Sequence, residues 1–308
     1  MKKPHWAEMG EYSLVWGMRL LLWIYRFGGR PIVQCFLYPV VAYYWLVNRR
    51  GRAASRDYLR RVAGFSADLQ VSGGLLDSFR HFMTFAEAIL DKLAAWSGLI
   101  ALGDVECLGR EALQSWLERG QGVLLLGSHL GNLEVCRVLA NLKKDIRINV
   151  LVHTRHAEKF SELLSYYNDA SRLNLIQVTE ISAATSMRLA DKIDQGEIVI
   201  VAADRTPVNN QYRVAEADFL GAKAFFPEGP FILAALLKCP VLTVFCLKRR
   251  GKYVIYFDPF SGGLRYPRKQ REQALQETIQ RYANRLQAYC LQEPLQWFNF
   301  YPFWHKES

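Results

Sequence analysis

The sequence predicts an α/β fold in which a mostly parallel central sheet is flanked by helices. Two observations support this prediction. Short apolar runs, most of them rich in β-branched residues, recur from residue 122 onwards, and the segments between them show the apolar spacing of helices. Strands that alternate with helix-length connections are typical of parallel sheets with buried central strands. The predicted strands cover residues 122–127, 146–152, 175–178, 197–201 and 240–247.

Further elements complete the predicted domain on both sides of these strands. Residues 253–257 are expected to pair with the preceding strand through the basic turn 248–252, and residues 270–290 are predicted to form a terminal helix. From residue 56 to about residue 96, apolar residues recur every three or four positions, which predicts a helical lead-in. In such a fold, active residues gather at the ends of the strands.

Two apolar stretches lie near the N-terminus. Residues 12–27 carry Arg19 in their middle, and residues 31–47 contain Pro39. Both fall at or below the roughly 20 apolar residues that a membrane-spanning helix needs. The sequence therefore favours a helical anchoring segment that inserts shallowly, as a monotopic hairpin or a single short anchor. A buried helical pair of an ordinary globular protein is the alternative interpretation.

Positive charge is concentrated in the same region. The whole chain has a formal net charge of +10, and its first 61 residues contain eleven Lys or Arg against three acidic residues, a net of +8. Each basic residue close to anionic headgroups contributes about 1 kcal/mol to membrane binding. An aromatic content of 13% also fits a protein that meets a lipid interface. We therefore divide the chain into a membrane-associating helical segment, residues 1–55, and an α/β domain, residues 56–308.

The six cysteines indicate neither a disulfide framework nor a metal site. They include no C-x-x-C pair and lie mostly in apolar surroundings. We expect them to be reduced core residues on the cytosolic side of a membrane, and no metal ligand is predicted.

His129 and Glu134 form the most informative pair of residues. A hydrophobic strand ends at the Ser128-His129 turn, and the chain then enters a predicted helix that carries Glu134. The carboxylate can reach back to one imidazole nitrogen, and an imidazole oriented in this way can take a proton from an attacking hydroxyl. A structural role is the alternative, in which Glu134 only complements the helix N-terminus. Covalent catalysis by Ser128 is not predicted, because the sequence lacks a G-x-S-x-G elbow.

The segment SHLGNLE (128–134), with RHFMTFAEAILDKLAAW (80–96) upstream, resembles the lysophospholipid acyltransferase superfamily. Within it, the chain is similar to the late acyltransferases of lipid A biosynthesis, the lauroyl and myristoyl transferases. The similarity includes the basic, apolar N-terminus, LVHTRH around Arg155, VAADRTPV around Asp204 and the ending PLQWFNFYPFW. It implies transfer of a fatty acyl group from an acyl carrier protein or acyl-CoA thioester to a hydroxyl or amine of a lipid A-like or other lipid acceptor.

The resemblance also implies roles for single residues. The catalytic dyad would be His129 with Glu134, and Arg155 or a backbone N–H near Gly131 would donate to the developing oxyanion. Arg155 as a surface cation and Asp204 as a turn residue are the alternatives. No cofactor and no nucleic-acid partner are implied, and the implied location is the cytoplasmic face of the bacterial inner membrane. The residues implied to bind substrate are Gly131, Asn132, Arg155, Asp204 and Arg205.

Two departures from the family pattern leave the acceptor open. The ending QWFNFYPFW replaces a more basic, Trp-rich version, and Asp204 is followed by Arg205 and Thr206 where further polar and acidic residues are common. Lipid A, another glycolipid, an aminolipid and a lipid-linked secondary metabolite are all candidate acceptors. A thioesterase or lipid hydrolase would use the same dyad with water as the acceptor. A non-catalytic lipid-binding protein is the third possibility, against which the intact His129 and Glu134 argue.

Two basic clusters are predicted to form one cationic face. The first is the turn 248–252, and the second lies within residues 265–271. Such a face would bind an acidic acyl carrier protein by electrostatic steering. A solvated basic hairpin that faces an anionic membrane is the alternative. Residues 225–237 suit one wall of an acyl-chain groove and suit an ordinary core helix equally well.

Overall fold

Seven strands of the described residues form a central sheet. The computed structural model describes residues 32–65, 69–96, 100, 102–136, 146–152, 173–177, 183–205 and 213–304. The sheet order is β1-β9-β8-β2-β5-β3-β4, and every neighbouring pair is parallel except β8 with β9. The strands are β1 (Val105–Leu108), β2 (Val123–Gly127), β3 (Ile148–Val152), β4 (Leu173–Gln177), β5 (Ile198–Ala202), β6 (Val214–Phe219), β7 (Ala222–Pro227), β8 (Val241–Arg249) and β9 (Lys252–Ser261).

The predicted α/β class with a mostly parallel central sheet is confirmed. Each predicted strand coincides with an observed one to within a few residues, and the expected antiparallel pairing through the basic turn is that of β8 with β9. The structure adds β1 at one edge and a separate antiparallel hairpin of β6 and β7, neither of which the sequence pattern predicts.

Helices cover both faces of the sheet and form the N-terminal part of the described chain. Residues 56 to about 96, predicted as one helical lead-in, belong to two helices, because the chain turns at Gly64 and again at Gly73. Gly73 has a φ of 70°, which favours glycine. The helices are α1 (32–47), α2 (Arg49–Ala63), α3 (Leu75–Trp96), α4 (Arg110–Leu117), α5 (Ala183–Asp194), α6 (Gly229–Leu237) and α7 (Arg271–Gln292).

β2 lies in the middle of the sheet and is buried on both faces. Leu124 and Leu126 pack into the core that α7 and the β6–β7 hairpin cover, while Val123 and Leu125 pack into the core that α4 covers. A strand with two buried faces requires a continuous apolar run, which is the run VLLLG. Because β2 pairs with β5 in parallel, the residues that follow both strands emerge side by side at the same edge of the sheet.

The two basic clusters lie at opposite edges of the sheet, so the prediction of one cationic face is wrong. The turn after β8 lies at the edge where β2 and β5 end, because β8 runs parallel to β2. Residues 265–271 follow the end of β9, which runs back to the other edge. A strand of nine residues at about 3.4 Å per residue separates the clusters by roughly 30 Å.

The described N-terminal helix has one buried stripe. Val33, Leu37 and Val41 of α1 pack against Phe82 and Met83 of α3, whereas many other apolar side chains of α1 are exposed. Among the helices of the described residues, none combines the length and apolar character needed to cross a bilayer. The predicted boundary between residues 55 and 56 falls within α2, and the first apolar stretch, 12–27, lies outside the described residues.

Candidate active site

His129 and Asp204 meet where the central strands end. Gly127, the last residue of β2, is in register with Ala202, the last residue of β5, and Ala203 N–H donates to the Gly127 carbonyl at 2.9 Å. Each side chain lies two residues beyond its strand. The Nδ1 atom of His129 is 2.8 Å from Oδ1 of Asp204, and the backbone N–H of His129 donates to Oδ2 at 2.8 Å. Both oxygens of one carboxylate therefore contact the same histidine.

The carboxylate of Asp204 is buried and ionised. Burial alone would raise the pKa of this carboxyl, but the charge and hydrogen bonds of His129, together with the charge of Arg205, outweigh burial and hold the pKa below its ordinary value. An ionised carboxylate only accepts hydrogen bonds, so Nδ1 of His129 carries a proton, and in the neutral form of the ring the lone pair is on Nε2. The His129 side chain is 37% exposed, against 0% for Asp204. Nε2, the nitrogen that does not contact Asp204, therefore belongs to the more accessible residue of the pair, His129.

The end of the chain covers this pair. Residues 296–304, the C-terminal strap, run beside the loop after β2, with an antiparallel bridge between Leu130 and Trp297 and a bond from Phe298 N–H to the His129 carbonyl at 3.1 Å. The indole N–H of Trp297 donates to Oδ2 of Asp204 at 2.9 Å. Nothing in the sequence alone pairs residue 297 with residue 204, and Trp297 was not among the predicted site residues.

His81 of α3 forms hydrogen bonds with the strap and with α2. Its Nε2 lies 2.9 Å from the carbonyl oxygen of Trp297, and its Nδ1 lies 3.0 Å from the hydroxyl of Ser55. Burial lowers the pKa of His81 to about 4, against a smaller opposing effect of the Trp297 carbonyl. The ring is therefore neutral near neutral pH, with Nε2–H donating to the carbonyl and Nδ1 accepting from Ser55.

Glu134 forms a salt bridge with α3. It lies in a short 3₁₀ turn at residues 133–136, and its Oε1 is 3.0 Å from the Nζ of Lys92 in α3. The carboxylate on Nδ1 of His129 is Asp204. Pairing of Glu134 with His129 remains a prediction.

The conformation of the loop requires glycine at position 131, and the backbone N–H of Gly131 has a protein acceptor. Its φ is 72°, and a Cβ at this position would lie 1.9 Å from the carbonyl oxygen of Cys246. Its N–H donates to the Gln296 carbonyl at 2.8 Å. The N–H groups of the neighbouring loop residues are also engaged: that of Leu130 by the Ser128 hydroxyl at 3.1 Å and that of Asn132 by the Cys246 carbonyl at 2.8 Å. Each of these three N–H groups therefore has a protein acceptor, and donation to an oxyanion by a backbone N–H near Gly131 stays a prediction.

Asn132 ties the loop to α3 and lines a small cavity beside it. Its side-chain amide donates to the Ala88 carbonyl at 3.1 Å and accepts from Glu134 N–H at 3.3 Å. The cavity of about 230 Å³ also contains the ion pair of Lys248 with buried Asp91, at 2.8 Å. The substrate-binding roles of Asn132 and Gly131 remain predictions.

Arg205 and Arg155 are the remaining predicted site residues. Arg205 donates to the Phe298 carbonyl and lies over the Tyr301 ring at 5.8 Å, so it fastens the strap. Arg155 lies outside the described residues. Ser128, for which no nucleophilic role is predicted, is 2% exposed, and its hydroxyl accepts from the Leu130 N–H at 3.1 Å.

The arrangement can perform general base catalysis. A buried anion fixes the imidazole tautomer and stabilises the imidazolium that forms when Nε2 accepts a proton. A family model described as bacterial lipid A biosynthesis acyltransferase matches residues 4–306. Among curated proteins, none matches the chain.

Proposed function

The chain belongs to the bacterial lipid A biosynthesis acyltransferase family, and on that premise we propose that it transfers a fatty acyl group from a thioester to a hydroxyl or amine of a lipid acceptor. The observation that carries the proposal is the His129–Asp204 pair, a part-exposed imidazole whose Nδ1–H is held by a buried, ionised carboxylate at 2.8 Å. The proposed acyl donor is an acyl carrier protein or acyl-CoA, and the proposed acceptor is lipid A-like.

The proposed reaction needs one base and no covalent enzyme intermediate. Nε2 of His129 removes the proton from the acceptor hydroxyl as its oxygen attacks the thioester carbonyl carbon. The tetrahedral intermediate collapses, the carbon–sulfur bond breaks, and the departing thiolate takes the proton back from Nε2. Asp204 stabilises the transient imidazolium, because its negative charge lies against Nδ1 in a buried site where Coulomb interactions are strong.

We include Glu134 in the proposed site as a second carboxylate. Its salt bridge with Lys92, at 3.0 Å, ties the turn after the histidine loop to α3. In this proposal Glu134 maintains the loop and the charge around the acceptor, while Asp204 orients the imidazole. The family resemblance that pairs Glu134 with His129 predicts the opposite division of roles, so substitution of each carboxylate separates the two.

We propose that the apolar side of α1 and α3 contacts the cytoplasmic face of the bacterial inner membrane, in a monotopic manner. The buried stripe of α1 faces α3, while Phe36 and Tyr43 are more than half exposed. Phe85 of α3 is exposed and packs on buried Phe298 at 5.2 Å, so the exposed apolar side chains of α3 lie next to the strap beside His129. Arg49 and Arg50 follow at the start of α2, where anionic headgroups would attract them.

Flotation on vesicles tests the proposed membrane surface. Phe36→Glu with Tyr43→Glu should reduce binding to vesicles of phosphatidylethanolamine and phosphatidylglycerol at high salt, where apolar insertion is the remaining attraction. Exposed Met187→Glu on α5 serves as the control. Equal flotation of the double variant and the control would exclude this surface as the membrane contact.

The enzymatic proposal is tested with a labelled acyl group. The protein is incubated with radiolabelled lauroyl–acyl carrier protein or lauroyl-CoA and an under-acylated lipid A precursor, and the products are separated by chromatography. The proposal expects label in a more highly acylated lipid. Label in free fatty acid alone, at equal rates with and without the acceptor, would identify a thioesterase and refute acyl transfer to this acceptor.

A further inference from the structure

We infer that Trp297 is a positioning residue of the acyl-transfer site, whose indole N–H fixes the carboxylate that fixes the catalytic imidazole. The inference rests on the proposed function, because it concerns how His129 is held ready to accept a proton. The Nε1 atom lies 2.9 Å from Oδ2 of Asp204, and the side chain is 1% exposed. The indole N–H donates to Asp204, so Trp297 acts on His129 through that carboxylate.

The indole N–H of Trp297 is one of three donors that fix the orientation of the Asp204 carboxylate. Oδ2 accepts two hydrogen bonds, from the backbone N–H of His129 and from Trp297, while Oδ1 accepts the bond from Nδ1 of His129. Rotation of the carboxylate would break all three bonds together. Loss of the indole N–H leaves Oδ2 with one donor among the residues that the structure describes, so the carboxylate gains freedom and the imidazole loses part of its orientation.

Trp297 is itself held from several sides. Its carbonyl oxygen accepts from Nε2 of His81 at 2.9 Å, and its backbone pairs with Leu130. The indole ring packs edge-on against Tyr58, at 4.9 Å between ring centres, and against Phe219, at 5.2 Å. A buried indole N–H needs a partner, and this rigid aromatic environment leaves it directed at Asp204.

Trp304 provides a matched control within the same aromatic cluster. It is 8% exposed, lies 6.1 Å from the Trp297 ring, and donates its indole N–H to the Phe219 carbonyl at 3.0 Å. Trp297→Phe and Trp304→Phe each remove one buried indole N–H and similar ring volume. Both should lower the melting temperature, but only Trp297→Phe removes a hydrogen bond from Asp204.

The kinetic test compares kcat and KM for lauroyl-CoA in the acyl-transfer assay. Trp297→Phe should lower kcat about 10-fold, the scale for losing a group that orients a catalytic residue, with KM within about 2-fold. The acid limb of its kcat profile should move to higher pH, because Asp204 with fewer donors keeps more negative charge against Nδ1 and so favours the protonated, inactive imidazole. Trp304→Phe should keep both the wild-type kcat, within about 2-fold, and the wild-type profile.

A double-variant comparison separates positioning from general destabilisation. In an Asp204→Asn background, Trp297→Phe should cause no further fall in kcat, because the carboxylate that it positions is already absent. An equal fall in both backgrounds would overturn the inference, as would a Trp297→Phe enzyme with the kcat and pH profile of the Trp304→Phe control.

A substrate-free measurement keeps this inference distinct from the proposed function. Nitrogen-15 histidine spectra of the full chain in detergent, with the His129 signal assigned by its loss in His129→Gln, report which ring nitrogen carries the proton. Wild type should show the Nδ1–H tautomer, and Trp297→Phe should show a mixture of tautomers. Unchanged His129 signals in Trp297→Phe would refute positioning even if no acyl transfer were found, whereas a changed tautomer without acyl transfer in wild type would refute only the proposed function.

Discussion

His129 and Asp204 are 75 residues apart in the sequence, yet Nδ1 and Oδ1 are separated by only 2.8 Å in the structure. The parallel pairing of β2 with β5 causes this approach, because it brings the ends of both strands to one edge of the sheet. The histidine side chain is accessible and the carboxylate is buried. Asp204 therefore has the position of the orienting carboxylate of a general base.

Asp204→Asn should lower kcat by about 10³- to 10⁴-fold, because an amide can donate to Nδ1 and stabilise the wrong tautomer. Glu134→Gln should lower kcat by only about 10-fold, since it weakens the contact with Lys92 and leaves the bond between Asp204 and His129 intact. Initial rates at saturating acyl donor measure both. If Glu134→Gln lowered kcat more than Asp204→Asn, and circular dichroism showed that both variants are folded, Glu134 would be the residue that orients His129.

The stability of the fold should decrease as the pH falls from about 6.5 towards 4. His81 has its pKa lowered from 6.5 to about 4 by burial, so in this window the unfolded chain binds a proton that the folded chain does not. The lost stability is about 3 kcal/mol at the acid end of the window. His81→Gln cannot titrate, so its free energy of unfolding in urea should depend less steeply on pH between 6.5 and 4. Parallel curves for the variant and wild type would contradict the burial of a neutral His81.

Gly131→Ala should destabilise the loop after β2 far more than a matched glycine substitution. Both Gly131 and Gly120 have a φ of 72°, but an added Cβ at Gly131 meets the Cys246 carbonyl oxygen at 1.9 Å, whereas at Gly120 nothing lies within 4 Å. Gly120→Ala should cost about 1–2 kcal/mol from backbone conformation alone. Gly131→Ala should cost several kcal/mol more, because the loop and β8 must separate. Urea unfolding measures both, and equal costs would show that the loop relaxes without penalty.

Much of the fold was predictable from the sequence, because its signals are local. Runs such as VLLLG and PVLTVFCL have the apolar continuity that a doubly buried strand requires, and they became β2 and β8. The β6–β7 hairpin was not predicted because many of its apolar positions are Ala, a residue that is depleted in strands, although exposed Glu216 and Asp218 alternate with buried neighbours.

The candidate site was only partly predictable, because its decisive contacts are long-range. His129 was identified from its own segment, and Asp204 was identified as a site residue, but their contact depends on which strands are neighbours in the sheet. Trp297 reaches Asp204 only because the chain returns after α7 to the loop that follows β2. The prediction of one cationic face was wrong for the same reason. The two basic clusters are close in the sequence, but β9 lies between them and runs from one edge of the sheet to the other.

The basic turn after β8 is the expected docking point for an acyl carrier protein, since it lies at the edge of the sheet that carries His129. Reversal of exposed Arg250 and Lys252 to Glu should lower kcat/KM for lauroyl–acyl carrier protein at least 10-fold at low salt, with a smaller effect at 0.15 M, where charges are screened beyond about 8 Å. Arg265→Glu with Arg268→Glu, at the opposite edge, is the control of equal charge change. Equal rates for the two double variants with the carrier protein would exclude docking at the turn.

The central claim is that Nε2 of His129 is the base in acyl transfer, and single turnover of His129→Ala tests it most directly. Enzyme in excess over radiolabelled lauroyl-CoA, with a saturating under-acylated lipid A precursor, gives the rate of the chemical step without product release. We expect His129→Ala to form labelled lipid about 10²- to 10⁴-fold more slowly than wild type, while its melting temperature stays close to the wild-type value. A folded His129→Ala enzyme that retains more than about a third of the wild-type rate would contradict the account, because losing a general base costs far more than that.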